Sequence, residues 1–306
     1  MPKLIRYVRQ SIKISRNGLI HDFSAAVGRP MLADWTCDKN APLERGTFFG
    51  QIYSSDHVLV QVSRQKNNKI VDNQHSCKLI LKERESMSVF LDLERNGIVA
   101  VLRHARIQTI VPIAQTLKEA GVTVLEVTME TPMALRIIEK LCIEFADHMT
   151  IGAGTVLDAE TARAAILAGA QFVVSPTVNI ETIRTVKRYG VLCMPGAMTP
   201  SEILTAYEFG ADIVKVFPAN VLGPAYIKAI AGPFPHIPLL ATGGINLENV
   251  EDYIKAGVVA VGLGNSLLDP SKEMTNEELI RLKETARRFV EKVRNAKQWL
   301  IDRKLG

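Results

Sequence analysis

The stretch MTIGAGTVLDAETARAAILAGAQFVVSP, residues 149–176, decides the fold. It opens on a short apolar run (149–152), passes through an alanine-rich stretch with helical spacing (158–168), meets Gly169 and closes on a second apolar run (171–175). A glycine between a helix and a strand supplies the left-handed residue that ends the helix. Strand, helix, glycine and strand in that order read as one βα unit and the start of the next.

The same rhythm continues on both sides. Strands are expected at 98–102, 123–128, 191–194, 212–217, 238–241 and 258–262, with helices near 107–120, 132–146, 179–189, 199–209, 223–230, 246–256 and 272–298. Gly121, Gly190, Gly210 and Gly257 repeat the part played by Gly169. Thr199-Pro200-Ser201-Glu202 has the spacing of a capping box with proline at the first helical position. Eight strands alternating with eight helices predict an α/β fold, a (β/α)8 TIM barrel; an open doubly wound sheet is the alternative.

A barrel of this kind takes roughly 250 residues, so the 306-residue chain suits one barrel plus an extension. We expect an N-terminal extension of uncertain structure over 1–86 and the barrel over 87–306. The stretch 50–63 has the pattern of a hairpin and 78–82 that of a further strand, but nothing there repeats. Met87 opens MSVFLDLERNGIVAVLR, a sensible beginning for a complete barrel. Lys82-Glu83 just before it can be encoded by a purine-rich ribosome-binding sequence, so Met87 is expected as the native start, with an accessory domain as the competing reading.

Charge separates the two parts. Residues 1–86 carry 14 Lys/Arg against 8 Asp/Glu; of the totals of 37 and 32, this leaves 23 against 24 for residues 87–306. The basic surplus therefore belongs to the extension, and nucleic acid is not an expected partner of the barrel. No run of about 20 apolar residues occurs, so no membrane span is expected. Cys37, Cys77, Cys142 and Cys193 are scattered, without CxxC pairs, which suits reduced thiols in a cytoplasmic protein and no structural zinc.

Side chains at the C-terminal ends of barrel strands face the active site. The sixth strand, DIVKVFP, puts Lys215 among Ile213, Val214, Val216 and Phe217. Burial lowers a lysine pKa and yields a neutral amine. Such an amine attacks a keto group, and the resulting iminium is an electron sink for carbon–carbon cleavage. The plainer reading is a strand-end lysine that snorkels to solvent. Glu126, near the end of the second strand, suits proton transfer, because an apolar setting raises a carboxyl pKa; a simple salt bridge to Lys215 is its plainer reading. Gly243-Gly244 after strand seven and Gly264-Asn265-Ser266 after strand eight fall where barrels bind phosphate. Arg103, at the end of strand one, adds charge or is a surface arginine.

Taken together, GIVAVLR, LEVT, GAGTVLD, VSP, MPGAMTP, KVFPAN, GPFP, TGGIN and AVGLGNSL, in this order from about Gly97 to Asn295, resemble the 2-keto-3-deoxy-6-phosphogluconate aldolase family. The resemblance implies that Lys215 forms a Schiff base and Glu126 transfers protons. It also implies that Thr155, Pro176 and Phe217 line the pyruvate pocket, and that Gly243, Gly244, Gly264, Asn265 and Ser266 hold the phosphate. A homotrimer without metal or cofactor is implied, with a phosphorylated keto acid cleaved to pyruvate and glyceraldehyde 3-phosphate. 4-Hydroxy-2-oxoglutarate cleavage is a second activity of such enzymes. Thr242 stands where the choice between gluconate- and galactonate-derived epimers is made, and threonine resembles the gluconate type.

One position departs from the pattern. Some members carry an arginine four residues after the glutamate, where this chain has Glu130. An anion does not clamp a carboxylate, so that role passes to Thr155, to backbone N–H groups or to Arg103. Two rivals remain: a phosphosugar isomerase or epimerase barrel, and a non-catalytic phosphosugar-sensing module with a nucleic-acid-binding extension. The six histidines do not supply a metal set at strand ends, and residues 1–86 show no helix-turn-helix pattern.

Overall fold

The computed structural model describes residues 89–306 except 147, 272 and 306, together with the backbone of three short strands nearer the N-terminus. The chain divides into two compact units, 1–76 and 77–306. In the first, β1 (Leu32–Asp34), β2 (Phe48–Tyr53) and β3 (Val60–Arg64) form an antiparallel sheet in that order. The β2–β3 pair is the hairpin expected in 50–63, while the strand expected at 78–82 lies outside the described residues.

The second unit begins with a helix, α1, over 89–96. It continues through β4 (Ile98–Leu102), α2 (Ile110–Ala120), β5 (Val124–Thr128), α3 (Ala134–Phe145), β6 (Thr150–Gly154), α4 (Ala159–Leu167), β7 (Phe172–Val174) and α5 (Ile180–Arg188). Then come β8 (Leu192–Met194), β9 (Gly196–Ala197), α6 (Pro200–Glu208), β10 (Val214–Val216), α7 (Ala219–Ala231), β11 (Leu239–Thr242), α8 (Val250–Lys255), β12 (Ala260–Leu263) and α9 (Asn276–Leu305).

The strands pair in parallel in the order β8-β7-β6-β5-β4-β12-β11-β10-β9. The two ends of that order, β8 and β9, flank the single residue Pro195 and are one passage of chain. Met194 C=O accepts from Ser175 N–H at 3.2 Å on one side, and Pro195 C=O accepts from Lys215 N–H at 2.9 Å on the other. The fifth strand thus hands its pairing from one neighbour to the next at a proline, which has no N–H to contribute. That transfer closes the sheet into an eight-stranded barrel and excludes the open sheet.

Alternation along each strand divides the core in two. Leu125, Val127, Val214, Val216, Val261 and Leu263 point outward into the layer packed under the helices. Val124, Phe172, Val174, Leu192, Met194, Ile213, Leu240 and Ala260 fill the barrel interior. Because strand side chains alternate faces, Glu126 must follow Val124 inward and Lys215 must follow Ile213.

The caps follow the sequence closely. The Thr199 hydroxyl accepts from Glu202 N–H at 3.3 Å while the Glu202 carboxylate accepts from Thr199 N–H at 2.8 Å, completing the capping box. The five expected helix-ending glycines all have positive φ, between 68° and 108°. Two expectations need correcting. Helix α7 starts at Ala219 rather than 223, its turns broken at Gly223 (φ 74°) before Pro224. Helix α1 was not expected. Its Val89 and Leu93 are buried among Val99, Val124, Leu192 and Ala260, so it plugs the N-terminal end of the barrel and leaves the other end for ligands.

Candidate active site

Strand β5 places Glu126 in the barrel interior, 3% exposed, and β10 places Lys215 there at 5%. Burial raises the Glu126 pKa and lowers that of Lys215, and each charge partly offsets the other's shift. The two groups therefore stand within electrostatic reach in a low-dielectric interior, where charge is costly and the neutral forms are favoured. The Lys215 ammonium lies 4.9 Å from the centre of the half-buried Phe217 ring.

Glycines make room for these side chains. A Cβ on Gly154 would overlap the Glu126 carboxyl group, and one on Gly262 would collide with the Thr242 hydroxyl. Thr242 is buried, and its hydroxyl has no hydrogen-bond partner among the described residues. Thr155, at the lip just beyond β6, adopts φ 53°. A β-branched residue there is strained, and such outliers collect at functional sites.

The loops after strands six and seven interlock. Gly243 and Gly244 have φ 100° and 71°; a Cβ on the first would press on Phe217 and Pro218, and one on the second would overlap Asn220. Asn220 N–H donates to Gly243 C=O at 3.0 Å, and the Asn249 side-chain amide donates to Gly244 C=O at 3.0 Å. Gly264 C=O accepts from Leu267 and Leu268 N–H at 2.8 and 3.2 Å, with Asn265 and Ser266 exposed between them. These bonds occupy the carbonyls of Gly243, Gly244 and Gly264 within the loops. Pro176, half-buried, follows β7 at the same end of the barrel, its backbone against Gly196.

Arg103 is the first residue beyond β4, and its guanidinium donates to the Glu130 carboxylate. Both are partly exposed, at 49% and 31%. Glu130, which stands where some members of the resembled family carry an arginine, thus holds the arginine that follows the neighbouring strand. Reading the sequence also missed Thr128 and Thr131, whose buried hydroxyls lie 3.1 Å apart. Thr128 was within reach of the alternation rule, two residues beyond Glu126. Thr131 was not, because its burial depends on the loop that covers it.

Among the described residues no group of three or more His, Cys, Asp or Glu side chains is placed to hold a metal ion, and no helix is long and apolar enough to cross a membrane.

A buried lysine and a buried carboxyl group within one (β/α)8 barrel interior, with glycine loops after strands seven and eight, are the arrangement a class I aldolase requires. Comparison with known proteins supplies the family. A family model for KDPG and KHG aldolases matches residues 91–284, and the chain belongs to that family. It is similar to the 2-dehydro-3-deoxy-phosphogluconate aldolase of Pseudomonas aeruginosa, 40% identical over 200 residues that cover 63% of this chain and 90% of that protein. It is also similar to the 2-dehydro-3-deoxy-6-phosphogalactonate aldolase of Escherichia coli, 35% identical over 181 residues, 59% of this chain and 86% of that one. Among solved structures, KDPG aldolase from Legionella pneumophila, with pyruvate captured as a covalent carbinolamine, superposes with a TM-score of 0.57 at 29% identity. The match covers 67% of this chain and 95% of that one.

Proposed function

We propose that this protein cleaves 2-keto-3-deoxy-6-phosphogluconate to pyruvate and glyceraldehyde 3-phosphate, with Lys215 as the Schiff-base amine and Glu126 as the proton-transfer group. The observation that carries the proposal is the burial of both groups in one barrel interior, each feeling the other's charge. The neutral amine of Lys215 adds to the substrate C2 ketone; Glu126 gives its proton to the departing hydroxyl, and loss of water leaves an iminium facing the Glu126 carboxylate. The electrons of the C3–C4 bond then flow into the iminium as Glu126 takes the proton of the C4 hydroxyl. Glyceraldehyde 3-phosphate departs, the enamine is protonated at C3, and hydrolysis frees pyruvate and the lysine.

Phe217, Pro176 and Thr155 enclose the pyruvate half, with Arg103 at its rim. The phosphate sits on the amide edges of Gly243, Gly244 and Gly264, with Asn265 and Ser266 adding side-chain donors. The unpartnered Thr242 hydroxyl supports the gluconate configuration, because a buried hydroxyl without a partner favours a substrate able to bond it. The galactonate epimer is the alternative, and side-by-side turnover of the two acids decides between them.

The barrel of 87–306 carries the activity, with Met87 as native start; the enzyme works in the cytoplasm as a homotrimer without metal. Light scattering of the full 306-residue chain should then give about three times its 33.8 kDa mass. Treatment with pyruvate and borohydride should leave one stable adduct on Lys215, lost in Lys215→Met. A folded wild-type protein that gains no adduct would disprove the mechanism.

A further inference from the structure

Arg103 and His104 are neighbours in the loop after β4, and Glu130 and Thr131 are neighbours in the loop after β5. The first pair is tied to the second at two points. The Arg103 guanidinium donates to the Glu130 carboxylate, and His104 N–H donates to the Thr131 hydroxyl at 2.9 Å. Thr131 is itself anchored: its N–H donates to Thr128 C=O at 3.0 Å, and its hydroxyl lies 3.1 Å from that of Thr128 at the end of β5. His104 adopts φ 55°, a left-handed conformation that a non-glycine residue keeps only when its surroundings hold it there. Thr128 and Thr131, at 0% and 3% exposure, give the clamp a rigid base.

As an isolated ion pair between partly exposed side chains, Arg103–Glu130 would add little to stability. Its position gives it another consequence. Alternation along β4 turns Val99 into the barrel, and by the same rule Arg103 leaves the strand on the inward side at its C-terminal lip. From there its charge reaches both Glu126 and Lys215, as does that of Glu130. A guanidinium has five donors in a planar fork, so an arginine bonded to Glu130 through one nitrogen keeps another edge for a carboxylate.

We propose that Glu130 is a positioning residue: with Thr131 it pins Arg103 and His104 at the lip of the barrel, so that the guanidinium is already aimed when the keto-acid carboxylate arrives. This inference rests on the aldolase reading. It turns the departure at this position into a charge exchange between adjacent loops: the cation stands on β4, and the residue after β5 holds it. Fixing a long side chain before binding spares the entropy of ordering it afterwards.

The carboxylate has a second consequence. The charged groups acting on Glu126 and Lys215 are each other, Arg103 at the end of β4 and Glu130 at the end of β5. Arg103 lowers both pKa values and Glu130 raises both, so Glu130 offsets the effect of its own partner on the catalytic pair.

The test is the pyruvate concentration that half-saturates borohydride trapping, measured on the full chain. Glu130→Ala should raise it roughly tenfold, the upper end of what ordering one such side chain costs, while still trapping the adduct at saturating pyruvate. Glu130→Gln keeps an oxygen acceptor and should stay within about threefold of wild type. Having lost the negative charge, it should move both limbs of the pH profile to lower pH, a change that a purely structural role would not produce. Adding Glu130→Ala to Arg103→Ala should worsen the single arginine variant no further, because the two act as one unit. Wild-type half-saturation in Glu130→Ala, independent penalties in the double variant, or an unmoved pH profile in Glu130→Gln would each overturn the clamp while leaving the aldolase reading intact. A wild-type protein that traps nothing would overturn both.

Discussion

Glu126 and Lys215 lie in one interior, on strands far apart in the barrel's chain order, and each changes what the other can do. The carboxylate raises the lysine pKa against the effect of burial. Replacing Glu126 by Gln removes that opposing charge, so the Lys215 amine should become neutral at lower pH. The initial rate of pyruvate trapping, followed against pH, should rise at lower pH in Glu126→Gln than in wild type. Overall turnover should nevertheless fall by roughly 10²–10⁴, the range for losing a general acid–base. A variant with normal turnover would remove Glu126 from its role. At this scale the sequence was legible where one residue type is out of place: a lysine in an apolar strand, a carboxyl group in another. The service of Gly154 was not legible. Nothing in GAGT marks it out, yet the Glu126 carboxyl group fills the space its Cβ would need.

Among the elements, α1 shows best what periodicity conceals. Its eight described residues are too few for an amphipathic stripe to stand out, and a short helix gains its stability from packing rather than propensity. Leu93 is fully buried in the inner core, and Gly97 N–H donates to its C=O at 2.8 Å where the helix ends at φ 70°. Leu93→Ala should cost about 2–5 kcal/mol by leaving a cavity at the base of the barrel. Thermal unfolding should then show a midpoint lower by roughly 5–15 °C, with trapping at room temperature preserved, since the helix plugs the end away from the site. A midpoint within 2 °C of wild type would mean that α1 does not hold the barrel base. The fifth strand is the complementary case. Its first half was expected at 191–194 and Pro195-Gly196 was given to no element; barrel closure is what makes β9 a strand.

For the whole molecule, the residues that share a site come from 103 to 266 and belong to one unit, 77–306. The family match, at 91–284, falls within it. A polypeptide of residues 87–306 should therefore trap pyruvate on Lys215 with the same half-saturation as the full chain. A large loss on removing residues 1–86 would give that segment a part in catalysis. Mass spectrometry of the protein from its own host tests Met87 directly, because a peptide from 1–80 excludes it as the start.

By itself the sequence determined the repeated βα units, their glycine-ended helices and the lysine, carboxyl group and glycine loops placed at strand ends. These are local properties: period, turn chemistry and an ion in apolar company are written within a few residues. The tertiary structure decided what depends on distant residues meeting. That includes closure at Pro195, the plug of α1, the cradle that Gly154 makes for Glu126 and the hold of Glu130 on Arg103. Each arises from the curvature of a closed sheet, which brings together groups whose separation along the chain carries no signal.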